Sequence, residues 1–205
     1  MNGIQTFREL QPNRLVQVLV STIMDKLDDF PHSEEFENVL AKKKNENQHS
    51  HAFCLFMGNS CQFSFIREIA QKRSHSIDIG VYNGALLIFV IEAKLLPTPS
   101  GTKQKPRYDH EYVYGKGAGI QRFKDGDHGL DNDENLFSDS GMIAYVKEQY
   151  FNFWFKLVNQ WILDAKWQAS EQLEKIKIEK TAVFQSDHLR IDGSMIRLYH
   201  FWVKV

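Results

Sequence analysis

The run from Ser76 to Leu95, SIDIGVYNGALLIFVIEAKL, leaves this chain few ways to fold. Ile77, Ile79 and Val81 alternate with Asp78, Gly80 and Tyr82, which is the period of a strand. Leu86 to Ile91 is an unbroken apolar run, as expected of a central strand covered on both faces. Asn83-Gly84 between them predicts a hairpin turn. Such a pair belongs inside a sheet with a layer on each side. Asp78, Glu92 and Lys94 nevertheless sit in it. Burying charge among apolar residues is costly unless the charges are paired or hold a metal, so three of them in one hairpin point to chemistry.

The flanking sequence supplies the layers. Leu15, Val16, Leu19, Val20, Ile23, Met24 and Leu27 recur at helical spacing and predict a helix over about residues 8–28, ended by Pro31. Ser33 followed by Glu34, Glu35 and Glu37 resembles the start of a second helix. Ala41 to Ser50 is polar and reads as a loose, exposed end, and residues 51–57 and 63–69 read as strands. Pro97, Pro99 and Pro106 mark a long loop over 96–116. A helix is expected from 117 to 123 and a strand from 142 to 146. Tyr150, Trp154, Leu157, Val158 and Trp161 fall on one face of a further helix. Residues about 175–184 and 195–205 alternate as strands, with Asp192-Gly193 as a turn before the last. This order predicts a mixed α/β (α+β) fold, a central sheet flanked by helices and closed by a C-terminal hairpin. The 205 residues read as one domain: N-terminal helices in 1–50, a core in 51–150, a helix and hairpin in 151–205.

Composition narrows the partners. A formal net charge of −1 means that nucleic acid would need a local basic patch. Cys54 and Cys61 form no C-x-x-C pair, and so sparse a cysteine count suits a reducing compartment. The start of the chain lacks a signal-peptide pattern, and no apolar run approaches the ~18 residues of a membrane span. A cytoplasmic protein without membrane contact is expected. The eight histidines form no zinc pattern, and His188 and His200 read as structural.

Whether the charges meet depends on hairpin register. Glu92 and Lys94 are two apart and share a face, with Ala93 on the other. A strict two-residue Asn83-Gly84 turn sets Tyr82 against Ala85 and Asp78 against Phe89, away from Glu92. A loop centred on Gly84 sets Asp78 against Val90, with Glu92 a diagonal neighbour about 7–8 Å away. Convergence therefore requires an odd-length loop or a bulge. Two converging carboxylates repel, and a hard cation such as Mg²⁺ (or Mn²⁺) relieves the repulsion through oxygen ligands. The Ala93 carbonyl could add a ligand. Water on such a metal is a nucleophile for phosphorus, and Lys94 could steady the developing charge.

Asp, a spacer and Glu-x-Lys on adjacent strands resembles the PD-(D/E)XK nuclease superfamily over about residues 60–150, with Ile77 where the motif has proline. The resemblance implies a restriction-endonuclease-like fold, Mg²⁺-dependent phosphodiester hydrolysis with Asp78, Glu92 and Lys94 as its catalytic set, and DNA as substrate. It also implies a prokaryotic restriction, repair or anti-phage setting. Gln121 and Arg122 occupy the place of the extra polar residue carried by the following helix. An upstream acid sometimes joins the metal, and Glu68 and Glu35 are the candidates.

Lys103, Lys105, Arg107, Lys116 and Lys124, near Arg122, could track a nucleic-acid backbone, although Asp109 and Glu111 interrupt them. Gly117-Ala118-Gly119 reads chiefly as tight packing ahead of a helix. The acid-rich stretch Asp125 to Asp139 fails the EF-hand pattern and reads as a solvated loop. No target-recognition module is evident, so the chain would cut non-specifically or be directed by a protein partner (a sensor or ATPase), and two-strand cutting would favour a homodimer. The competing reading is a non-catalytic nuclease-fold subunit that binds protein or nucleic acid through the Tyr150–Trp167 helix.

Overall fold

A computed structural model describes residues 12–40, 45–71, 76–98, 109–115 and 119–205. The chain runs through α1 (Pro12–Lys26), α2 (Glu34–Leu40), α3 (Glu46–Ser60), β1 (Ser64–Ala70), β2 (Ser76–Asn83) and β3 (Leu86–Leu96). A 3-10 turn (Asp109–Tyr112) precedes α4 (Gly119–Lys124), β4 (Asp139–Val146) and α5 (Phe151–Asp164). The order ends with β5 (Glu174–Ile178), β6 (Ala182–Leu189) and β7 (Met195–Lys204). The seven strands form one sheet in the order β1-β2-β3-β4-β7-β6-β5. β1, β2 and β3 are antiparallel, β4 lies parallel to both β3 and β7, and β6 and β5 return antiparallel. This is the mixed sheet with flanking helices and a closing hairpin that the sequence predicts.

The layers follow from the pleat. On one face, Phe89, Ile91, Ala93 and Leu95 of β3 pack with Ile143, Tyr145 and Phe201 beneath Leu19, Ile23, Phe53 and Met57 of α1 and α3. On the other, Val90 and Leu96 pack with Met142, Ala144 and Trp202 beneath Tyr112, Ile120, Phe123, Trp154 and Val158. Glu92 and Lys94 alternate onto this second face. Gly119 opens α4 because a Cβ there would lie 2.3 Å from the Met142 Cε and 2.9 Å from the Tyr112 carbonyl oxygen. The glycine thus serves close packing.

Several expectations are corrected. Residues 51–57 are helix, within α3, and not strand. His49, Ala52, Phe53, Phe56 and Met57 are its buried stripe, at helical spacing. Its N-cap is Asn45, whose side chain accepts the Gln48 N–H at 2.9 Å. The polar stretch read as a loose end therefore contains a helix start. Tyr150 does not join the buried face of α5: it is 82% exposed, just before the helix, while Trp154, Val158, Trp161 and Ile162 face the sheet. The segment 175–184 is two strands, split by a turn at 179–181. Among the described residues no helix is long and apolar enough to cross a membrane.

Candidate active site

The β2–β3 turn is Gly84-Ala85, with Asn83 opposite Leu86, and not Asn83-Gly84. Left alone, this register would set Asp78 on the face away from Glu92. A bulge corrects it: Tyr82 pairs with Leu87 but Val81 pairs with Phe89, so Ile88 is the extra residue. From there Gly80 meets Val90 and Ile79 meets Ile91, and the same register sets Asp78 across from Glu92.

The two strands then part. Paired residues between β2 and β3 stop at Ile79 and Ile91. Across the sheet, Glu68 of β1 takes a left-handed φ of 56° beside Asp78. Ile79 and Val81 belong to one core and Ile77 to the other, so the alternation of β2 breaks at Asp78. Parting leaves backbone N–H groups of β3 without strand partners, and such groups need acceptors. Two carboxylates provide them. Asp78 Oδ2 accepts the Ala93 N–H at 2.7 Å, and Glu46 Oε2, from the first turn of α3, accepts the Leu95 N–H at 2.8 Å. The Ala93 carbonyl leaves the strand on the same edge as its N–H.

Glu92 is 2% exposed and ringed by donors. Lys94 Nζ lies 2.6 Å and Arg122 Nη1 3.6 Å from its Oε1, and His128 Nδ1 lies 3.5 Å from its Oε2. The cluster therefore draws Glu46 from the α1–α3 layer, Asp78, Glu92 and Lys94 from the sheet, and Arg122 and His128 from the opposite layer.

No family model, no curated protein and no solved structure matches the chain. The chemistry must be read from the side chains themselves.

Three carboxyl groups meet one lysine and one arginine here, and the protonation behaviour reflects the shortage of positive charge. Burial, reinforced by Glu92, pushes the Asp78 carboxyl up to about 6, although Lys94 opposes the shift. Burial likewise raises Glu46. Burial works to lower Lys94, but Glu92, Glu46 and Asp78 outweigh it and hold the ammonium charged, above the usual lysine range. The nearness of Glu92 favours protonated Asp78. Such a pair suits a hard cation, which can take the place of a shared proton. Among the described residues no three acid, histidine or cysteine side chains form a ready-made metal cage. Asp78 and Glu46 each commit one oxygen to the backbone of β3.

The remaining sequence candidates separate. Arg122 is at the cluster. Gln121 is not: its Oε1 accepts the Gly115 N–H at 3.0 Å and fastens the 109–115 segment to α4. Glu68 pairs with Arg67 at 2.7 Å on the exposed side of β1, and Glu35 accepts from Asn59 at 2.8 Å. The upstream acid that reaches the cluster is Glu46, which sequence reasoning missed by reading its segment as loose; the Asn45 cap and the α3 stripe were the available signals. Lys124 turns away into an ion pair with Glu171, donates to the Leu189 carbonyl at 2.9 Å and lies 4.6 Å over the Trp167 ring. It is engaged in packing and not displayed to a phosphate. Lys103, Lys105, Arg107 and Lys116 lie outside the described residues. The acidic loop is ordered: Asp131 Oδ1 accepts the N–H groups of Asp133 and Asn135, both at 2.8 Å, and Gln71 brackets Leu130.

Proposed function

We propose that this protein is a divalent-metal-dependent nuclease of the PD-(D/E)XK type, hydrolysing phosphodiester bonds in DNA. One observation carries the reading. Where β2 parts from β3, Asp78 and Glu92 face each other with Asp78 pushed up to about 6, and Lys94 and Glu46 stand beside them. The mixed sheet with its antiparallel hairpin beside a parallel strand is compatible with a restriction-endonuclease-like fold.

Asp78 and Glu92 would hold Mg²⁺ or Mn²⁺, with Glu46 as a third carboxylate and the Ala93 carbonyl as a further oxygen. Bound there, the metal would supply a polarised phosphoryl oxygen and an activated water. The chain's own residues do the rest. Asp78 and Glu46 are anchored by backbone N–H groups of β3, so both are positioned before substrate arrives. Lys94, kept charged by its three acidic neighbours, stabilises negative charge as it develops on the attacked phosphate. Arg122, part-exposed beside the buried Glu92, would meet a non-bridging phosphate oxygen.

A second reading is favoured by Tyr150 and Phe153, 82% and 46% exposed at the start of α5: a surface for a protein partner that directs the nuclease or, without catalysis, uses the fold as a binding module. A reducing, cytoplasmic setting fits both. Incubation of plasmid, single-stranded DNA and RNA with Mg²⁺ or Mn²⁺ separates the two. Cleavage by wild type that disappears in Lys94→Ala and Asp78→Ala, both still folded, supports the enzyme. Intact substrates throughout, with and without co-purifying partners, support the binding module.

A further inference from the structure

We propose that His128 is a positioning residue for Glu92, its Nδ1–H facing one carboxylate oxygen while Arg122 fixes the other side of the ring. The inference rests on the metal-site reading of Glu92 and deepens it.

The ring is fully buried. Its Nε2 lies 3.4 Å from Arg122 Nη1 and its Nδ1 3.5 Å from Glu92 Oε2. A guanidinium can only donate, so the nitrogen facing it must carry the lone pair. The proton of the neutral ring is then on Nδ1, the nitrogen on the Glu92 side. Arg122 donates to His128, and the Nδ1–H is left on the Glu92 side, 3.5 Å from Oε2 and short of hydrogen-bond geometry; the proposed role is that it closes on this oxygen. A carboxylate held by an outer partner in this way keeps its remaining lone pairs pointed at the metal.

The backbone holds the ring in place. The N–H groups of Asp127 and His128 both donate to the Arg122 carbonyl, at 3.0 and 3.2 Å, so the chain folds back over the end of α4. Gly129 follows with φ +84°, a conformation side-chain-bearing residues rarely adopt, and its carbonyl accepts the Phe137 N–H at 2.7 Å. Arg190 donates to the Phe137 and Phe123 carbonyls and secures both ends of this fold-back. Phe123 meets the imidazole edge-on, with centroids 5.7 Å apart. So much scaffolding around one buried ring is explained if the orientation of the ring matters.

Two measurements test this. Two-dimensional ¹⁵N–¹H correlation of imidazole nitrogens in the metal-free protein reads the tautomer directly; Nδ1–H is expected, and Nε2–H would overturn the assignment. Calorimetric titration with Mn²⁺ then compares wild type with His128→Asn, whose amide N–H occupies the place of Nδ1, and with His128→Leu, which removes the donor. The leucine variant should bind Mn²⁺ about 10–100-fold more weakly, and the asparagine variant should recover most of that loss. Cleavage by the leucine variant should return at saturating Mn²⁺, because the defect lies in holding Glu92. Mn²⁺ binding by His128→Leu within about twofold of wild type would sink the proposal. If leucine prevents folding, His128→Gln replaces it, since its amide reaches the place of Nε2 and not that of Nδ1. A wild-type protein that takes up no Mn²⁺ and cuts nothing would bring down the nuclease reading and the metal role of His128 together; the tautomer would still report the ring's contact on its own.

Discussion

Two regions of this molecule bury polar groups on the same face of one sheet, with opposite results. Beside β6 and β7, the Trp202 Nε1–H donates to the Tyr112 hydroxyl at 2.9 Å, and the hydroxyl lies 2.8 Å from His200 Nδ1. Ser186 Oγ bridges His200 Nε2 and His188 Nε2, each at 2.7 Å, and His188 Nδ1 reaches Glu171 at 3.0 Å. Tryptophan at one end can only donate and the carboxylate at the other can only accept, so every proton between them is fixed. The chain ends on the Lys124 ammonium and is fully satisfied. At the split between β2 and β3 the reverse holds: three carboxyl groups crowd together, and Asp78 is pushed toward the neutral form. A satisfied network rigidifies. One that is short of positive charge, at an opening in the sheet, is where a cation and a phosphate would find something to do.

The sharpest way to break this contrast is Asp78→Asn. If the cluster is a metal site, cleavage should fall by about 10²–10³-fold. At neutral pH the metal-free protein should become more stable by ~1–3 kcal/mol, because a buried, repelled charge has been removed. Its melting temperature should rise by about 2–4 °C per kcal/mol. Loss of stability along with activity would make Asp78 an ordinary structural residue.

Acidity acts on the two regions with opposite sign. The folded carboxyl of Asp78, at about 6, is above its unfolded value. Its contribution to stability is therefore fully present below the unfolded value and is lost as pH rises through about 6. The imidazoles of His188 and His200 are lowered by burial. Their contribution is present above the unfolded histidine value, near 6.5, and is lost as pH falls below it. Thermal melts of Asp78→Asn across this range should show a smaller alkaline-side decline, the part left to Glu46, and keep the acid-side one. Mn²⁺ affinity of wild type should weaken by about tenfold per pH unit below about 6, since the metal needs the carboxylate that the proton occupies. A pH-independent affinity would place the cation elsewhere.

Ser186→Ala probes the satisfied region. It strands a ring nitrogen on His188 and another on His200, at a cost of about 1–3 kcal/mol. Cleavage by the folded variant should stay within about twofold of wild type, because neither histidine touches the cluster.

The contrast also explains what the sequence could and could not reveal. Alternation from Ile77 to Val81 and the unbroken run after Leu86 were enough for the hairpin, and Glu92 and Lys94 had to share a face because they are two apart. The bulge at Ile88 was not legible, because no residue type marks it, yet it alone brings Asp78 opposite Glu92. The requirement for a bulge or odd loop could be stated from parity; its position could not. The strand expected at 51–57 failed because a short apolar run is ambiguous between strand and helix, and the decisive cap, Asn45, lies in the polar residues before it. That error concealed Glu46. His128, remote in sequence from the motif, reaches Glu92 only through a fold-back that depends on backbone geometry.

The smallest expected effects distinguish the two upstream acids. Glu46→Gln keeps an oxygen to accept the Leu95 N–H, so folding should survive and only the charge is lost. Mn²⁺ should then bind about tenfold more weakly, equivalent to ~1.4 kcal/mol. Glu68→Ala removes a carboxylate that faces solvent and pairs with Arg67. Exposed pairs of this kind contribute little, so stability should change by less than about 0.5 kcal/mol, with Mn²⁺ affinity unchanged. Glu68 of β1 stands opposite Asp78 of β2 and is the nearer of the two in sequence, whereas Glu46 arrives from a helix in another layer. A larger loss of metal binding in Glu68→Ala than in Glu46→Gln would mean that the cation sits on the β1 side of β2, and the opening between β2 and β3 would lose its role.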